Sequence, residues 1–156
     1  MQKNFSFLIL DGYGSGETDF STRLAQSDPQ VQSAFDEYII QPLLVVLNSA
    51  GECAVLTIEG HSDRVDSEGL NREQRRQMEL DASNARAGSA DAAVKQMLRA
   101  RYVGNLPDDF DNQPNIAILS SGFGAAVLVE KGDSITWSQR LANRRIQMYV
   151  TRFTPD

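Results

Sequence analysis

The strongest constraint in this sequence is the order in which strand-like and helix-like segments follow one another. Four short segments rich in branched, aliphatic or aromatic side chains are predicted to be strands: residues 5–10, 54–58, 116–119 and 146–153. A helix start at Asp28 and Pro29 lies between the first two strands. Residues 71–101 are rich in helix formers and contain no proline, which predicts a second, longer helix. Residues 125–129 are apolar and are expected to extend the strand structure.

This β–α–β–α–β–β order predicts an α+β sandwich, with two main helices packed on one face of a mixed sheet. A chain of 156 residues suits one domain, residues 1–156, with a single core. Pro42 is expected to kink or end the first helix, and the apolar residues 43–47 are expected to continue it. Cys53 is the only cysteine, and its position before a strand predicts a small core residue.

Charge and composition exclude several kinds of function. The formal net charge of −6 argues against nucleic acid as a partner, because phosphate binding needs a basic face. One histidine and one cysteine cannot form a usual zinc site, and we expect neither a metal nor a cofactor. The longest apolar run, residues 43–47, is far shorter than the roughly 20 residues of a membrane span. The N-terminus lacks the long hydrophobic region and the small-residue cleavage site of a secretory signal peptide.

Two charged residues are the main candidates for binding. Asp63 follows the second predicted strand, where a carboxylate can either project into a groove and accept a cation or cap the next turn. Arg86 follows small residues on the long helix, so it can present its guanidinium fork to a carboxylate. The alternative for Arg86 is a surface arginine paired with a neighbouring acid. His61 is expected to be structural.

No arrangement of residues in the sequence predicts an enzyme. No serine or cysteine has a companion base in a persuasive triad. The acids Asp63, Asp66 and Glu68 lack the spacing of an EF-hand calcium loop. A pair of carboxylates that would hydrolyse a glycoside cannot be placed across a sugar from the sequence. We therefore predict a protein that binds and does not catalyse.

Four motifs occur in a fixed order along the chain: Ile58-Glu-Gly-His-Ser-Asp63, Ser83-Asn-Ala-Arg-Ala87, Gly122-Phe-Gly124 and Asn143-Arg-Arg-Ile146. Together they resemble the OmpA/MotB C-terminal-like domain, a family that includes the peptidoglycan-associated lipoproteins. The resemblance runs from about residue 55 to residue 150. It implies a non-covalent binder of peptidoglycan that holds the diaminopimelate of the stem peptide in a groove.

The resemblance also implies roles for individual residues. Asp63 would accept the ammonium group of the ligand, and Arg86 would make a two-pronged contact with its carboxylate. Ser62 stands where the family usually has threonine and would add a hydroxyl hydrogen bond. Asn143 and Arg144 would border or brace the groove.

Two further positions follow from the resemblance, and one of them departs from the family pattern. Asp11, after the first strand, is a candidate for lining the groove. The separation of Asp63 and Arg86 exceeds that of the family, which predicts an insertion at about residues 64–79. Glu79 stands where the family has asparagine, and would either bind the ligand ammonium or neutralise Arg86.

The function implied is a module that anchors a larger assembly to the cell wall, in the periplasm or at the outer membrane. Its other partners would be subunits of an envelope, secretion, motor or phage-like assembly. We expect the chain to reach the periplasm as a mature or truncated form, or as part of that assembly. The alternative is a structural or interaction subunit that keeps the OmpA-like fold without binding peptidoglycan. A cell-wall hydrolase is a third, less supported reading.

Overall fold

A computed structural model describes residues 2–104, 106, 110, 113–131 and 135–155. Within these residues, four strands form one mixed sheet: β1 (Gln2–Leu10), β2 (Cys53–Gly60), β3 (Ile116–Gly122) and β4 (Ile146–Thr154). The spatial order is β1-β4-β2-β3, in which β4 is antiparallel to both of its neighbours and β2 is parallel to β3. The predicted α+β class and the four predicted strands are confirmed.

The same described residues contain several helical segments, most of which pack on this sheet. They are α1 (Phe20–Ala25), α2 (Pro29–Phe35), α3 (Gln41–Leu47), α4 (Arg72–Arg101) and α5 (Trp137–Asn143), with a π-helical turn (Asp36–Ile40) joining α2 to α3. The first predicted helix therefore corresponds to α2, the π turn and α3 together, and the second corresponds to α4.

Local chemistry explains where the first helical unit starts and why it is irregular. The side chain of Asp28 accepts a hydrogen bond from the backbone of Gln30, which caps α2. Pro42 has no N–H to give to the preceding turn. Next to it, the N–H of Gln41 bonds to the carbonyl of Asp36, five residues back, as in a π turn. Pro42 therefore marks a local widening, and the helix continues to Leu47 as predicted.

The core lies between the sheet and the helices. Alternate residues of the two central strands are buried there: Ala54, Leu56 and Ile58 on β2, and Ile146, Met148 and Val150 on β4. They meet apolar residues of the first helical unit and of α4, including Phe35, Ile39, Ile40, Leu43, Val46, Ala90, Val94 and Leu98. This alternation is the period-two pattern of strands with one face buried against a second layer.

Three local expectations are wrong. Cys53 is exposed, because it lies in the opposite phase to the buried alternate residues of β2. Residues 11–28, which read as a loop, contain the six-residue helix α1, which is capped by the side chain of Asp19. Residues 125–129 form turns and bends instead of a strand.

The backbone of helix α4 lies directly against the backbone at the ends of β2 and β3. A Cβ added at Gly60 would lie 2.0 Å from the carbonyl oxygen of Ser83. One added at Gly122 would lie 2.4 Å from the backbone nitrogen of Asn84. Glycine is therefore required at both strand ends for this close approach.

We predict that Gly60→Ala destabilises the protein by about 2 kcal/mol or more, since α4 must move away from β2 to admit a methyl group. Gly88→Ala is the matched control, because a Cβ added there meets nothing within 4 Å in the middle of the same helix. That change should stabilise the fold by about 0.5–1 kcal/mol. Urea denaturation measures both, and equal stability of Gly60→Ala and wild type would contradict the close approach.

Candidate functional site

The contact between α4 and the strand ends is extended by hydrogen bonds from two polar side chains of the helix. The N–H of Gly122 donates to Oδ1 of Asn84 at 2.9 Å, and the N–H of Gly124 donates to Oγ of Ser83 at 2.8 Å. These bonds hold the Gly122-Phe-Gly124 turn against the helix. They also fix the position of Arg86, less than one turn further along α4.

Arg86 is a buried cation held by backbone carbonyls. Its side chain is almost completely buried, at 2% exposure. Nε donates to the carbonyl of Glu17 at 3.0 Å, and Nη1 donates to the carbonyl of His61 at 2.9 Å. The guanidinium carbon lies 5.2 Å from the ring centroid of Tyr13. The alternative of a surface arginine paired with a neighbouring acid is therefore wrong.

No described residue forms an ion pair with Arg86, and Nη2 makes no hydrogen bond within the described part of the chain. Burial lowers the pKa of the Arg86 guanidinium to about 10, so the group stays charged at neutral pH. The carboxylate of Glu17 attracts the guanidinium and opposes this lowering of the pKa, but it forms no ion pair with Arg86. A buried charge without a direct ion pair is costly. Arg86 thus offers a favourable place for an anion.

Asp63 is also buried, but its carboxylate is already paired. Oδ2 accepts from Nη1 of Arg140 at 2.8 Å and lies 3.8 Å from Nη2 of Arg144. Oδ1 accepts from the amide of Asn143 at 3.2 Å. Arg140 also pairs with Asp66, and its hydrogen bonds to the two carboxylates raise its pKa. The carboxylate of Asp63 is therefore the centre of a network.

Asn143 braces this network from behind. Its side chain is fully buried; Oδ1 accepts from the N–H groups of Val129 and Glu130, and Nδ2 donates to the carbonyl of Glu130 as well as to Asp63. Those four bonds use the whole hydrogen-bonding capacity of the amide. The resemblance predicts that Asn143 either borders the groove or braces it, and its contacts in the structure are those of a brace.

Asp63 and Arg86 line one cavity of about 570 Å³ at the carboxyl end of β2. Among its other lining residues are Ser15, Gly16, Ser62, Asp66, Met78, Glu79, Trp137, Arg140 and Arg144. The structure thus brings together five of the seven residues singled out from the sequence. Asn143 lies behind the cavity, and Asp11 is not among its lining residues; Ser15 and Gly16 line it from the same segment.

Glu79 stabilises one wall of the cavity. Its Oε1 accepts from the N–H of Val65 at 2.9 Å, which ties residues 64–71 to α4. Glu79 and Arg86 form no ion pair in the described part of the chain, although both line the cavity. The Glu79 carboxylate therefore leaves the charge of Arg86 unpaired.

Sequence reasoning missed two residues of the site, Trp137 and Arg140. Their spacing, i and i+3, places them on one face of α5, and Arg144 follows at the C-cap of the same helix. The guanidinium carbon of Arg144 lies 5.1 Å from the Trp137 ring centroid, and Nη1 of Arg144 is buried without a hydrogen-bond partner among the described residues. This spacing is the signal that could have identified the face.

His61 lies beside the site, and its Nε2 is 3.6 Å from Oε2 of Glu59. Its ring is buried and stacks on Phe123, with 5.6 Å between ring centroids. Neither ring nitrogen has a hydrogen-bond partner among the described residues. Burial, assisted by the positive charge of Arg145, lowers the pKa of His61 to about 4. His61 is therefore neutral at pH 7.

Comparisons with known proteins give matches only among solved structures. No protein-family model and no curated protein matches the chain. The periplasmic domain of MotB from Helicobacter pylori is 13% identical, with a TM-score of 0.49, over 97% of this chain and 76% of that one. The peptidoglycan-associated lipoprotein from Burkholderia pseudomallei is 16% identical, with a TM-score of 0.48, over 79% of each chain.

A further match is the cell wall anchor of the T6SS from Pseudomonas aeruginosa, 16% identical with a TM-score of 0.43, over 94% of this chain and 80% of that one. The matched structures include members of the family that the four motifs resemble. Identities of 13–16% do not assign the function of a matched protein to this chain.

We predict that Asp63→Asn destabilises the protein by about 1–3 kcal/mol, because it removes the negative charge from a buried, hydrogen-bonded pair. Asp66→Asn is the matched control. Asp66 contacts the same arginine, but its side chain is 61% exposed, so the loss should stay below about 1 kcal/mol. Urea denaturation at pH 7 measures both, and equal losses would contradict a structural role for Asp63.

We predict that His61 makes stability depend on pH between 6.5 and 4. In this range the unfolded chain binds a proton on His61 and the folded chain does not, so the free energy of unfolding falls as the pH falls. The loss attributable to His61 should reach about 1–3 kcal/mol at pH 4. The control is His61→Phe, in which the slope of stability against pH should be smaller. Identical slopes in both proteins would contradict the prediction.

Proposed function

We propose that this chain is a non-covalent peptidoglycan-binding module that anchors a larger assembly to the cell wall. Its ligand is the diaminopimelate of the stem peptide, bound in the cavity that Asp63 and Arg86 line. The observation that carries the proposal is Arg86, a buried guanidinium without an ion pair among the described residues. The motif resemblance assigns the carboxylate contact to the same residue.

The carboxylate of the ligand is proposed to bind first to Arg86. Nη2 is the nitrogen that no described residue engages, and a carboxylate oxygen there makes a charge-assisted hydrogen bond. Arg144 supplies a second guanidinium in the same cavity. Two guanidinium groups around one carboxylate would compensate the positive charge that the fold leaves buried.

The ammonium group of the ligand is proposed to bind at the acidic side of the cavity. Asp63 keeps its pairing with Arg140 and accepts the ammonium as an additional donor. Ser62, which also lines the cavity, adds its hydroxyl group. A zwitterionic amino-acid end needs one anion and one cation close together, and the two sides of this cavity supply them.

The proposal places the module in the periplasm, as one OmpA-like domain attached to an envelope, secretion, motor or phage-like assembly. Residues 64–71 and the first turns of α4 correspond to the proposed insertion. Part of this stretch forms a wall of the cavity. No helix among the described residues combines the length and the apolar character needed to cross a membrane.

One observation favours the alternative function, an interaction subunit that does not bind peptidoglycan. The side chain of Asp63 is only 1% exposed and already has Arg140 as a partner. If that pair excludes the ligand ammonium, the fold remains intact and the wall-binding activity is absent. Wild-type protein that ignores sacculi but assembles with a protein partner would establish this alternative.

We predict that purified wild-type protein co-sediments with sacculi that contain diaminopimelate, and that Arg86→Gln weakens this binding at least about tenfold, since a charge-assisted hydrogen bond is lost. Trp137 is the only tryptophan, lies 59% exposed and lines the cavity, so its fluorescence reports ligand binding directly. Titration with diaminopimelate should change this fluorescence. The amide of Nα-acetyl-lysine, which keeps an ammonium group but has no zwitterionic end, should change it far less.

Arg101→Gln, at the far end of α4, is the matched control and should bind like wild type. Arg144→Gln provides a second test of the cavity if Arg86→Gln fails to fold by circular dichroism. Undiminished binding of sacculi by both folded cavity variants would overturn the proposed site.

A further inference from the structure

A second cavity, of about 720 Å³, lies between residues 64–71 and the start of α4. Its lining contains four arginines, which we call the arginine cluster: Arg64, Arg72, Arg75 and Arg76. It shares a wall with the first cavity, because Arg64, Val65, Asp66 and Glu79 line both.

The positive charge of this cluster is not compensated within the described part of the chain. None of its four members forms an ion pair there. The two acids that line the same cavity are engaged elsewhere: Asp66 with Arg140, and Glu79 with the N–H of Val65. The chain as a whole carries a formal charge of −6, so a generally basic surface does not explain the cluster.

The position of the cluster on α4 is also electrostatically unfavourable. Three of its arginines occupy the first five positions of α4, at the positive end of the helix dipole, where only Glu73 is acidic in the first turn. Each cation there is unfavourable for the isolated helix. At the other end, Arg99 and Arg101 follow the usual preference. Cations that destabilise their own helix and form no ion pair with described residues are typical of a binding site.

One member of the cluster is already oriented. Nε and Nη2 of Arg75 donate to the carbonyl of Leu70 at 3.1 and 2.9 Å. These bonds fix the plane of the guanidinium and leave Nη1 without a hydrogen bond to a described residue. Part of the entropy loss of ordering this side chain is therefore already incurred before a ligand arrives.

We propose that the arginine cluster binds a phosphate-bearing anion. Guanidinium forks match phosphate oxygens in geometry and charge, and the positive end of a long helix adds to the attraction. Arginines from two sides of the cavity suit a group with several oxygens, and the cavity exceeds the size of one phosphate. The ligand is an oligophosphate or a phosphate-bearing headgroup. The proposal does not depend on peptidoglycan binding.

The test uses tripolyphosphate and the full chain in isothermal titration calorimetry at low salt. Wild-type protein should bind this probe, and added salt should weaken the binding. The double variant Arg72→Gln/Arg76→Gln should bind at least about tenfold more weakly, because two charge-assisted contacts are lost. Arg99→Gln/Arg101→Gln removes the same charge from the other end of α4 and should bind within about twofold of wild type.

Vesicles distinguish the two sources of phosphate. Co-sedimentation with phosphatidylcholine vesicles that contain phosphatidylglycerol, but not with phosphatidylcholine alone, supports the site and identifies a headgroup as the ligand. Binding of tripolyphosphate without vesicle binding supports the site with a soluble phosphate. In either case Arg86→Gln should bind phosphate like wild type, although it should bind sacculi more weakly. The two proposals can therefore fail independently of each other.

Three results would overturn the proposal. One is the absence of both tripolyphosphate and vesicle binding. Another is equal affinity of the cluster variant and wild type. The third is binding of citrate as tight as that of tripolyphosphate, which would show that the cavity attracts any polyanion and does not select phosphate.

Discussion

Backbone contact between α4 and the ends of β2 and β3 is the constraint on which the site depends. Gly60 and Gly122 have no side chains, so the helix lies directly on the strand ends. From this position Nη1 of Arg86 reaches the carbonyl of His61, two residues before Asp63. A side chain at either glycine would displace the helix and break this contact. Asp63 and Arg86 line one cavity because of this packing.

The electrostatics of the cavity are asymmetric. The carboxylate of Asp63 is paired with Arg140 and braced by Asn143. Among the described residues, the guanidinium of Arg86 contacts backbone carbonyls and the face of Tyr13 but forms no ion pair. Removing one partner of a buried ion pair leaves an uncompensated charge and destabilises the fold, and an unpaired buried guanidinium favours an anion. The same logic applies to the arginine cluster on the other side of the shared wall. The positive charge that each cavity leaves unpaired supports a function in binding anionic groups.

The two cavities share a wall. Residues 64–71 and the start of α4 form this wall. Glu79 ties this segment to the helix, and Arg140 ties it to α5 through Asp66. A ligand in one cavity therefore touches a wall that the other cavity shares. The insertion that we propose at about residues 64–79 therefore coincides with the wall that the two cavities share.

Local sequence determined the strands, the two main helical units and the start of α2, because strand periodicity, helix propensity and the capping of Gln30 by Asp28 involve neighbouring residues. The motifs also singled out Asp63 and Arg86, which line one cavity in the structure. Only the tertiary structure decided that Cys53 faces outward, that Arg140 pairs with Asp63 and that Asp11 lies outside the cavity. These outcomes depend on strand phase and on contacts between residues far apart in the chain. Local spacing indicates the phase of a strand or the face of a helix, but it does not identify the distant residue that each side chain meets once α4 packs against the sheet.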